Sequence, residues 1–150
     1  MKLTENTDYL LIEEGVYMKN RELESRCHVS VLFTKKFIFI LPGTFFKEYT
    51  HYFTVPIHGK PVETNEPIGL IRYLLSNDYQ DVSAFENHML EITEHGKYRF
   101  NFERTLLRKC NVFGLFAAGL KIIDEHQDRY IIGLNKRRNK SKYLEFYKGH

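Results

Sequence analysis

Cysteine and tryptophan are scarce in this chain of 150 residues, which contains two Cys and no Trp. Cys27 and Cys110 lie far apart and form no CxxC pair, so the sequence offers neither a disulfide framework nor a cysteine zinc motif. The longest apolar run, VFGLFAAGL, has nine residues, about half the length of a membrane-spanning helix. The first residues carry acids among the apolar positions, unlike a secretory signal. We therefore expect a soluble, cytoplasmic protein.

Sequence motifs for metal binding and catalysis are also missing. The seven histidines form no HExxH or HxH arrangement, and the pairs His51/His58 and His88/His95 are too widely spaced to hold one ion without other ligands. The segment GLFAAGLK has the glycine spacing of a P-loop but lacks its Lys-Ser/Thr pair. No Ser or Cys lies in a recognisable nucleophile turn. The sequence predicts no metal and no cofactor, and it favours a protein that is not an enzyme.

The chain is rich in apolar and aromatic residues, and its charges are unevenly distributed. It is 43% hydrophobic, with 12 Phe and 10 Tyr, which predicts one packed domain over residues 1–150. Residues 1–95 carry 9 basic and 14 acidic side chains, whereas residues 96–150 carry 13 basic and 5 acidic ones. Such segregation can serve an anionic partner, or it can let the acidic half face the basic half within a monomer or across a dimer.

The first half of the chain has strand periodicity. In residues 26–42, CHVSVLFT alternates with a period of two, two lysines form a turn, and FIFIL is apolar on both faces, which predicts a β-hairpin. Because FIFIL has two apolar faces, we expect the following helices to cover its outer side. A first strand is predicted in YLLIEEGVYM, with a bulge or bend at Gly15, and a further strand or strand pair is predicted in residues 44–58.

Helical periodicity follows between residues 67 and 94, where Pro67 suits a first turn. The run IGLIRYLLSN places four apolar side chains on one helical face: Ile68, Ile71, Leu74 and Leu75. In the next segment, Ser83 and Glu86 form a predicted capping box and Gly96 a predicted stop. The sequence therefore predicts two helices.

Strand periodicity returns at residue 97. Tyr98, Phe100 and Phe102 alternate with polar residues, and further strands are predicted in LLRKCNV, GLKIID and RYIIGLN, the last two joined by the polar turn EHQD. The final segment KSKYLEFYKG predicts a short helix that stops at Gly149. The sheet thus resumes after the helices and ends in a helix.

Two of these stretches share a pattern with a known superfamily. VLFTKKFIFIL is a strand, a Thr-plus-basic turn and a strand, and NVFGLFAAGLKIIDEHQDRYIIGLNKRRNKSKYLEFY is a Phe-Gly strand, a polar hairpin, a strand ending in basic residues and a helix. Both resemble the pleckstrin-homology-like superfamily, in its GRAM-like and bacterial members. The resemblance implies an α+β fold with a strongly bent antiparallel sheet or barrel and a C-terminal capping helix. The two predicted helices depart from this pattern, and we interpret residues 59–96 as a helical insertion. The resemblance also implies a non-enzymatic binding module.

Basic residues cluster just before the predicted last helix. Five cations fall within seven positions: Lys136, Arg137, Arg138, Lys140 and Lys142. Cations at a helix N-terminus are unfavourable by about 0.3–1 kcal/mol each, so a bound anion would relieve the conflict; the alternative is a solvated basic loop. In phosphoinositide-binding members of the pleckstrin-homology class, the loop after the first strand carries spaced basic residues. Lys19, Arg21 and Arg26 fit that pattern in part.

The sequence leaves three classes of function open. The first is a binding module for another protein or for a second copy, because residues 63–94 carry seven acids against Arg72 alone, beside a basic C-terminal half. Such a module would also bind an anionic ligand or an anionic membrane surface weakly, through its basic loop. The second is a small enzyme with a His/Glu cleft beneath the helices. The third is a non-specific nucleic-acid binder, since no base-reading motif indicates a specific nucleic acid.

Overall fold

The computed structural model describes residues 1–19, 27–42, 67–93, 99–111, 118–134 and 140–149. This part of the chain has an α+β architecture. Its strands are β1 (Leu10–Lys19), β2 (Cys27–Phe33), β3 (Phe37–Pro42), β4 (Arg99–Asn101), β5 (Leu106–Asn111), β6 (Ala118–Ile123) and β7 (Arg129–Leu134). Its α-helices are α1 (Pro67–Leu75), α2 (Val82–Ile92) and α3 (Lys140–Lys148). The predicted hairpin, the two predicted helices and the predicted terminal helix are confirmed.

All seven strands belong to one antiparallel sheet with the order β4-β3-β2-β1-β7-β6-β5. The first strand pairs with both β2 and β7 and so joins the two runs of consecutive strands. The register of β1 against β2 shifts between Ile12 and Gly15. This irregularity confirms the bulge predicted at Gly15, and a bulge of this kind bends a strand.

The sheet curls strongly. In the strand order β4 and β7 are four positions apart, which in a flat sheet would separate them by about 19 Å. Nevertheless, the ring centroids of Phe100 on β4 and Tyr130 on β7 are only 4.8 Å apart. The edge strand β4 therefore approaches β7 across a concave face.

The concave face holds the larger hydrophobic core. Alternating residues of the strands fill it, among them Val31, Phe33, Ile38, Ile40, Leu120, Ile122 and Ile132. Helix α3 adds Tyr143 and Phe146 to this core, and the ring of Tyr143 lies 5.4 Å from that of Phe33. The hydroxyl of Tyr147 donates a hydrogen bond to the carbonyl oxygen of Thr105. The C-terminal helix is thus fixed to the concave side by its aromatic residues.

The convex face of the first strands carries α1 and α2. Leu32, Phe39 and Leu41 belong to one buried cluster with residues of both helices, including Ile71, Leu74, Phe85, Met89 and Ile92. Phe39 and Leu41 alternate with Ile38 and Ile40, which belong to the concave core. Strand β3 is therefore buried on both faces, and the helices provide the cover that the apolar sequence FIFIL predicts.

The turn between β2 and β3 is fixed from two directions. Its Lys36 amide donates to Oε1 of Glu86 at 2.9 Å, and its Lys36 carbonyl accepts from the amide of Phe102, also at 2.9 Å. The Glu86 side chain is 2% exposed although it belongs to α2. This turn thus connects helix α2 to the segment that directly follows β4.

Two local predictions were wrong. Helix α2 begins at Val82 with Asp81 as its N-cap, whose Oδ1 accepts from the amide of Ala84, so Ser83 and Glu86 do not form a capping box; the Glu86 carboxylate binds Lys36 instead. The strand predicted through Phe102 ends at Asn101, because the Asn101 side chain accepts from the amide of Glu103 and caps a 3-10 turn. The strand predicted in residues 44–58 and the stop at Gly96 lie outside the described residues. None of the described helices is long and apolar enough to cross a membrane.

Candidate functional site

A groove of about 540 Å³ runs between the convex face of β1 and helix α1. The strand side supplies alternate residues, Tyr9, Leu11 and Glu13, because period two puts them on one face. The helix side supplies Arg72, Leu75 and Ser76, which are three and four positions apart and so share one helical face. Glu5 completes the lining. The lining of the groove therefore combines charged side chains with two leucines and a tyrosine ring.

The charges of the groove come from two carboxylates and one guanidinium. Arg72 forms an ion pair with Glu13, and the two side chains are 60% and 46% exposed. An ion pair this exposed contributes only about 0–1 kcal/mol, so a ligand can compete for either partner at low cost. With Glu5 unmatched among the lining residues, the groove has a net negative charge.

Tyr9 stands between the charged groups. Burial raises the pKa of its phenol above the usual value, the Glu5 carboxylate raises it further, and the Arg72 guanidinium opposes both effects. The phenol therefore remains a neutral hydroxyl at physiological pH, available as a donor, and its ring offers an aromatic surface beside two carboxylates.

A tight N-terminal turn holds Glu5 and Tyr9 in position. Asn6 adopts a left-handed conformation with φ of 70°, which asparagine tolerates better than most residues, and its amide donates to the Tyr9 carbonyl at 2.8 Å. Asp8 is buried, accepts from the Thr4 amide at 2.8 Å and lies 3.7 Å from the Lys35 ammonium. Contacts within the protein thus hold the strand side of the groove in place without a ligand.

The basic residues that the sequence singled out lie on the other side of the sheet or outside the described part. Lys140 and Lys142 lie in the first turn of α3. Lys109 of β5 joins them, since its Nζ donates to Oγ of Ser141 at 2.8 Å. Residues Lys136, Arg137, Arg138, Arg21 and Arg26 fall outside the described residues.

Lys109 was missed at the sequence level, although a signal for it exists. In LLRKCNV it lies two positions after Leu107, which is in the concave core, so period two puts both on the face that α3 covers. The alternation of β5, combined with a terminal helix on its concave face, therefore predicts Lys109 as a further member of the basic cluster.

Lys19 has acidic and aromatic neighbours instead. Its ammonium lies 3.7 Å from Asp128 in the β6–β7 turn and 5.8 Å from the ring centroid of Tyr130. The same turn contains Asp124, which accepts from the amides of His126 and Asp128. Two positions of the predicted anion site, Lys140 and Lys142, are therefore brought together with a third cation, while Lys19 faces an acidic turn.

Histidine takes no part in the described lining of the groove. His126 is exposed beside Glu125 at 3.8 Å, and the ring of His88 lies 6.4 Å from that of Tyr79. Within the ranges that the structure describes, no group of three or more His, Cys, Asp or Glu residues could hold a metal ion. The convergent polar groups are thus carboxylates, a phenol and a guanidinium.

Exposed charges of opposite sign lie on the two faces of the sheet. On the convex side, the helical layer and the segment between its helices expose Asp78, Asp81 and Glu91, with Arg72 of the groove as a single base among them. On the concave side, helix α3 and β5 expose Lys109, Lys142 and Lys148, with Glu145 as a single acid among them. These acids and lysines form two patches of opposite sign on opposite faces, while Arg108 of β5 and Arg129 of β7 are further exposed cations that period two puts on the convex face.

Comparisons with protein-family models, with curated proteins and with solved structures found no match to this chain. The groove and the two charged surfaces are the features of the protein from which a function can be inferred.

Proposed function

We propose that the protein is a non-enzymatic binding module of pleckstrin-homology-like architecture, with residues 59–96 as a two-helix insertion. The comparisons lend this architecture no support. Its support is the topology: a curled antiparallel sheet in which β1 joins β2 to β7, helices between β3 and β4, and a C-terminal helix whose aromatic residues enter the concave core. A cytoplasmic location remains a prediction.

The partner in this proposal is another protein or a second copy of the chain. The observation that carries it is the opposite charge of the two surfaces, which gives each molecule one patch complementary to a distant patch on the next molecule. Complementary potentials raise association rates and weaken with salt. Since the patches lie on opposite faces, contact between copies would be heterologous, which produces rings or open chains.

Sedimentation velocity tests the self-binding form of the proposal. At low salt we expect the weight-average sedimentation coefficient to rise with concentration, without stopping at a dimer, and to fall when salt is added. A strict monomer at high concentration and low salt would remove self-binding and leave a different protein as the partner.

A weak anionic-ligand site at the basic C-terminal loop belongs to the same proposal. Lys109 adds a cation beside Lys140 and Lys142 at the start of α3, where helix dipole and cations together favour a negative ligand. At an anionic membrane each cation contributes about 1 kcal/mol, so such binding would be weak and sensitive to salt. Nucleic acid would bind on the same electrostatic terms.

A second candidate, a small enzyme, has one specific observation in its favour. Glu5, Tyr9, Glu13 and Arg72 converge in a groove beside helix α1, as polar groups do in many catalytic clefts. The cleft envisaged from the sequence used histidine, and the described lining contains none. If Glu13→Gln and Tyr9→Phe together abolished a turnover detected in a screen of hydrolase substrates, this candidate would replace the binding module.

A further inference from the structure

The groove between β1 and α1 has the chemistry of a receptor for an extended cation. Glu5 and Glu13 exceed Arg72 in charge, while Leu11, Leu75 and the ring of Tyr9 provide apolar surface within the same space. A lysine or arginine side chain matches this pattern, because its methylene stem packs on apolar groups while its charged end meets carboxylates or an aromatic ring.

We propose that the groove of one molecule receives a basic side chain from the concave side of a second copy, around Lys142 at the start of α3. This inference rests on the proposed self-association and names the site and the partner residue for it. It differs from a general attraction between charged faces, since it requires the groove carboxylates in particular.

Three observations favour a second copy as the occupant. The chain itself carries the complementary chemistry, since Lys109 and Lys142 are exposed on the side of the sheet opposite the groove. The groove walls are open to solvent, with Arg72 60% exposed, which suits a side chain that stays attached to a protein surface. The Arg72–Glu13 pair is weak enough to yield Glu13 to an incoming cation.

The geometry also predicts the mode of assembly. The donor residue and the groove lie on opposite sides of one sheet, so a molecule that fills a neighbour's groove keeps its own groove available. Every copy can therefore bind two others, and assembly continues beyond a dimer unless a ring closes.

Charge exchange between two variants provides the test. Glu5→Lys makes the groove basic, and Lys142→Glu makes the donor acidic; the latter puts an acid in the first turn of a helix, where the dipole favours it. Each variant alone should self-associate more weakly, with a dissociation constant raised about five- to tenfold, as expected when exposed charge pairs turn repulsive. An equimolar mixture should associate again, because each basic group then meets an acidic one.

The matched control is Glu91→Lys, which makes the same charge change on exposed helix α2 outside the groove. It should affect association less than Glu5→Lys. The milder Glu5→Gln, checked by circular dichroism and thermal melting, separates a charge effect from misfolding. If the parent self-associates but Glu5→Lys behaves like Glu91→Lys, or if the mixture stays dissociated, the groove inference is wrong while the binding module stands. A parent that never self-associates overturns the groove inference and the self-binding form of the proposal, and leaves a different protein as the partner.

Discussion

Glu86 supplies the sharpest test of how the helical layer is attached to the sheet. Its carboxylate is buried, 2% exposed, and accepts a 2.9 Å hydrogen bond from the Lys36 amide in the β2–β3 turn. Replacing Glu86 with Ala removes this acceptor, whereas Glu86→Gln keeps a side-chain oxygen of nearly the same reach. The difference in stability between the two variants therefore measures the contribution of the hydrogen bond separately from that of the charge.

The change in the free energy of unfolding caused by Glu86→Ala is the sum of opposing effects. A hydrogen bond to a charged group contributes about 1.5–3 kcal/mol, and each buried methylene lost adds about 0.8 kcal/mol. Removing a buried carboxylate returns part of its desolvation cost, and Ala has the higher helix propensity. We expect Glu86→Ala to lower the free energy of unfolding by about 2 kcal/mol, a fall in Tm of about 4–8 °C for a chain of this size. Glu86→Gln should stay within about 1 kcal/mol of the parent, because it retains an acceptor and avoids the buried charge.

Urea denaturation measures the stability of each variant, and amide hydrogen exchange measures the protection of the Lys36 amide. The urea midpoint should fall for Glu86→Ala with an unchanged m-value, and the Lys36 amide should exchange faster in that variant alone. Glu91→Ala, on the exposed side of the same helix, is the control and should change stability by less than about 0.5 kcal/mol. Equal effects of Glu86→Ala and Glu91→Ala, with the Lys36 amide unaffected, would refute the attachment.

Further predictions concern the sheet, the basic loop and a buried phenol. Amides of Phe37–Leu41 should exchange close to the rate of global unfolding, since both faces of β3 are buried; exchange at loop rates would contradict that burial. Replacing Arg137, Arg138 and Lys140 with Gln should change stability by less than about 0.5 kcal/mol while abolishing binding to anionic liposomes, inositol phosphates and oligonucleotides at low salt; no binding by the parent would leave a solvated loop. Burial raises the pKa of Tyr79 to about 12 from 10.0, so the unfolded chain releases this proton first and stability falls as pH rises from about 10 towards 12. In Tyr79→Phe this part of the fall should vanish from the measured pH dependence of unfolding; an identical pH dependence would contradict the assignment.

The elements of the fold can be predicted from sequence periodicity, because the residues that a strand or helix buries must be apolar and recur with the period of that element. FIFIL predicted a strand covered on both sides, and its alternate residues do enter two different cores. The bulge at Gly15 was predictable for a local reason, since an isolated glycine in a strand pattern marks an irregularity. In both cases the physical cause lies within a few residues of the chain.

Contacts between distant segments could not be predicted in this way. The spacing of Ser83 and Glu86 fits a capping box, but Asp81 caps the helix one residue before its first turn, and the free carboxylate of Glu86 then binds a turn 50 residues away. The groove depends likewise on the position of α1 over β1, which no periodicity specifies. Propensity fixes a local pattern, and tertiary packing decides which of the available partners each polar side chain meets.

The charge asymmetry shows how a sequence property becomes a surface property. The acidic and basic halves could have faced each other inside one molecule, which would have neutralised both. Instead the helical layer, which exposes the acids Asp78, Asp81 and Glu91, packs on the convex face of β1–β3, while the basic α3 packs into the concave face, because each has an apolar face that a different side of the sheet must bury. Hydrophobic burial, at about 25 cal/mol per Å², outweighs exposed ion pairs of about 0–1 kcal/mol, so the core sets the positions of the charges. Charges separated for this reason remain available to another molecule, and this is the physical basis for expecting a partner of opposite charge at each face.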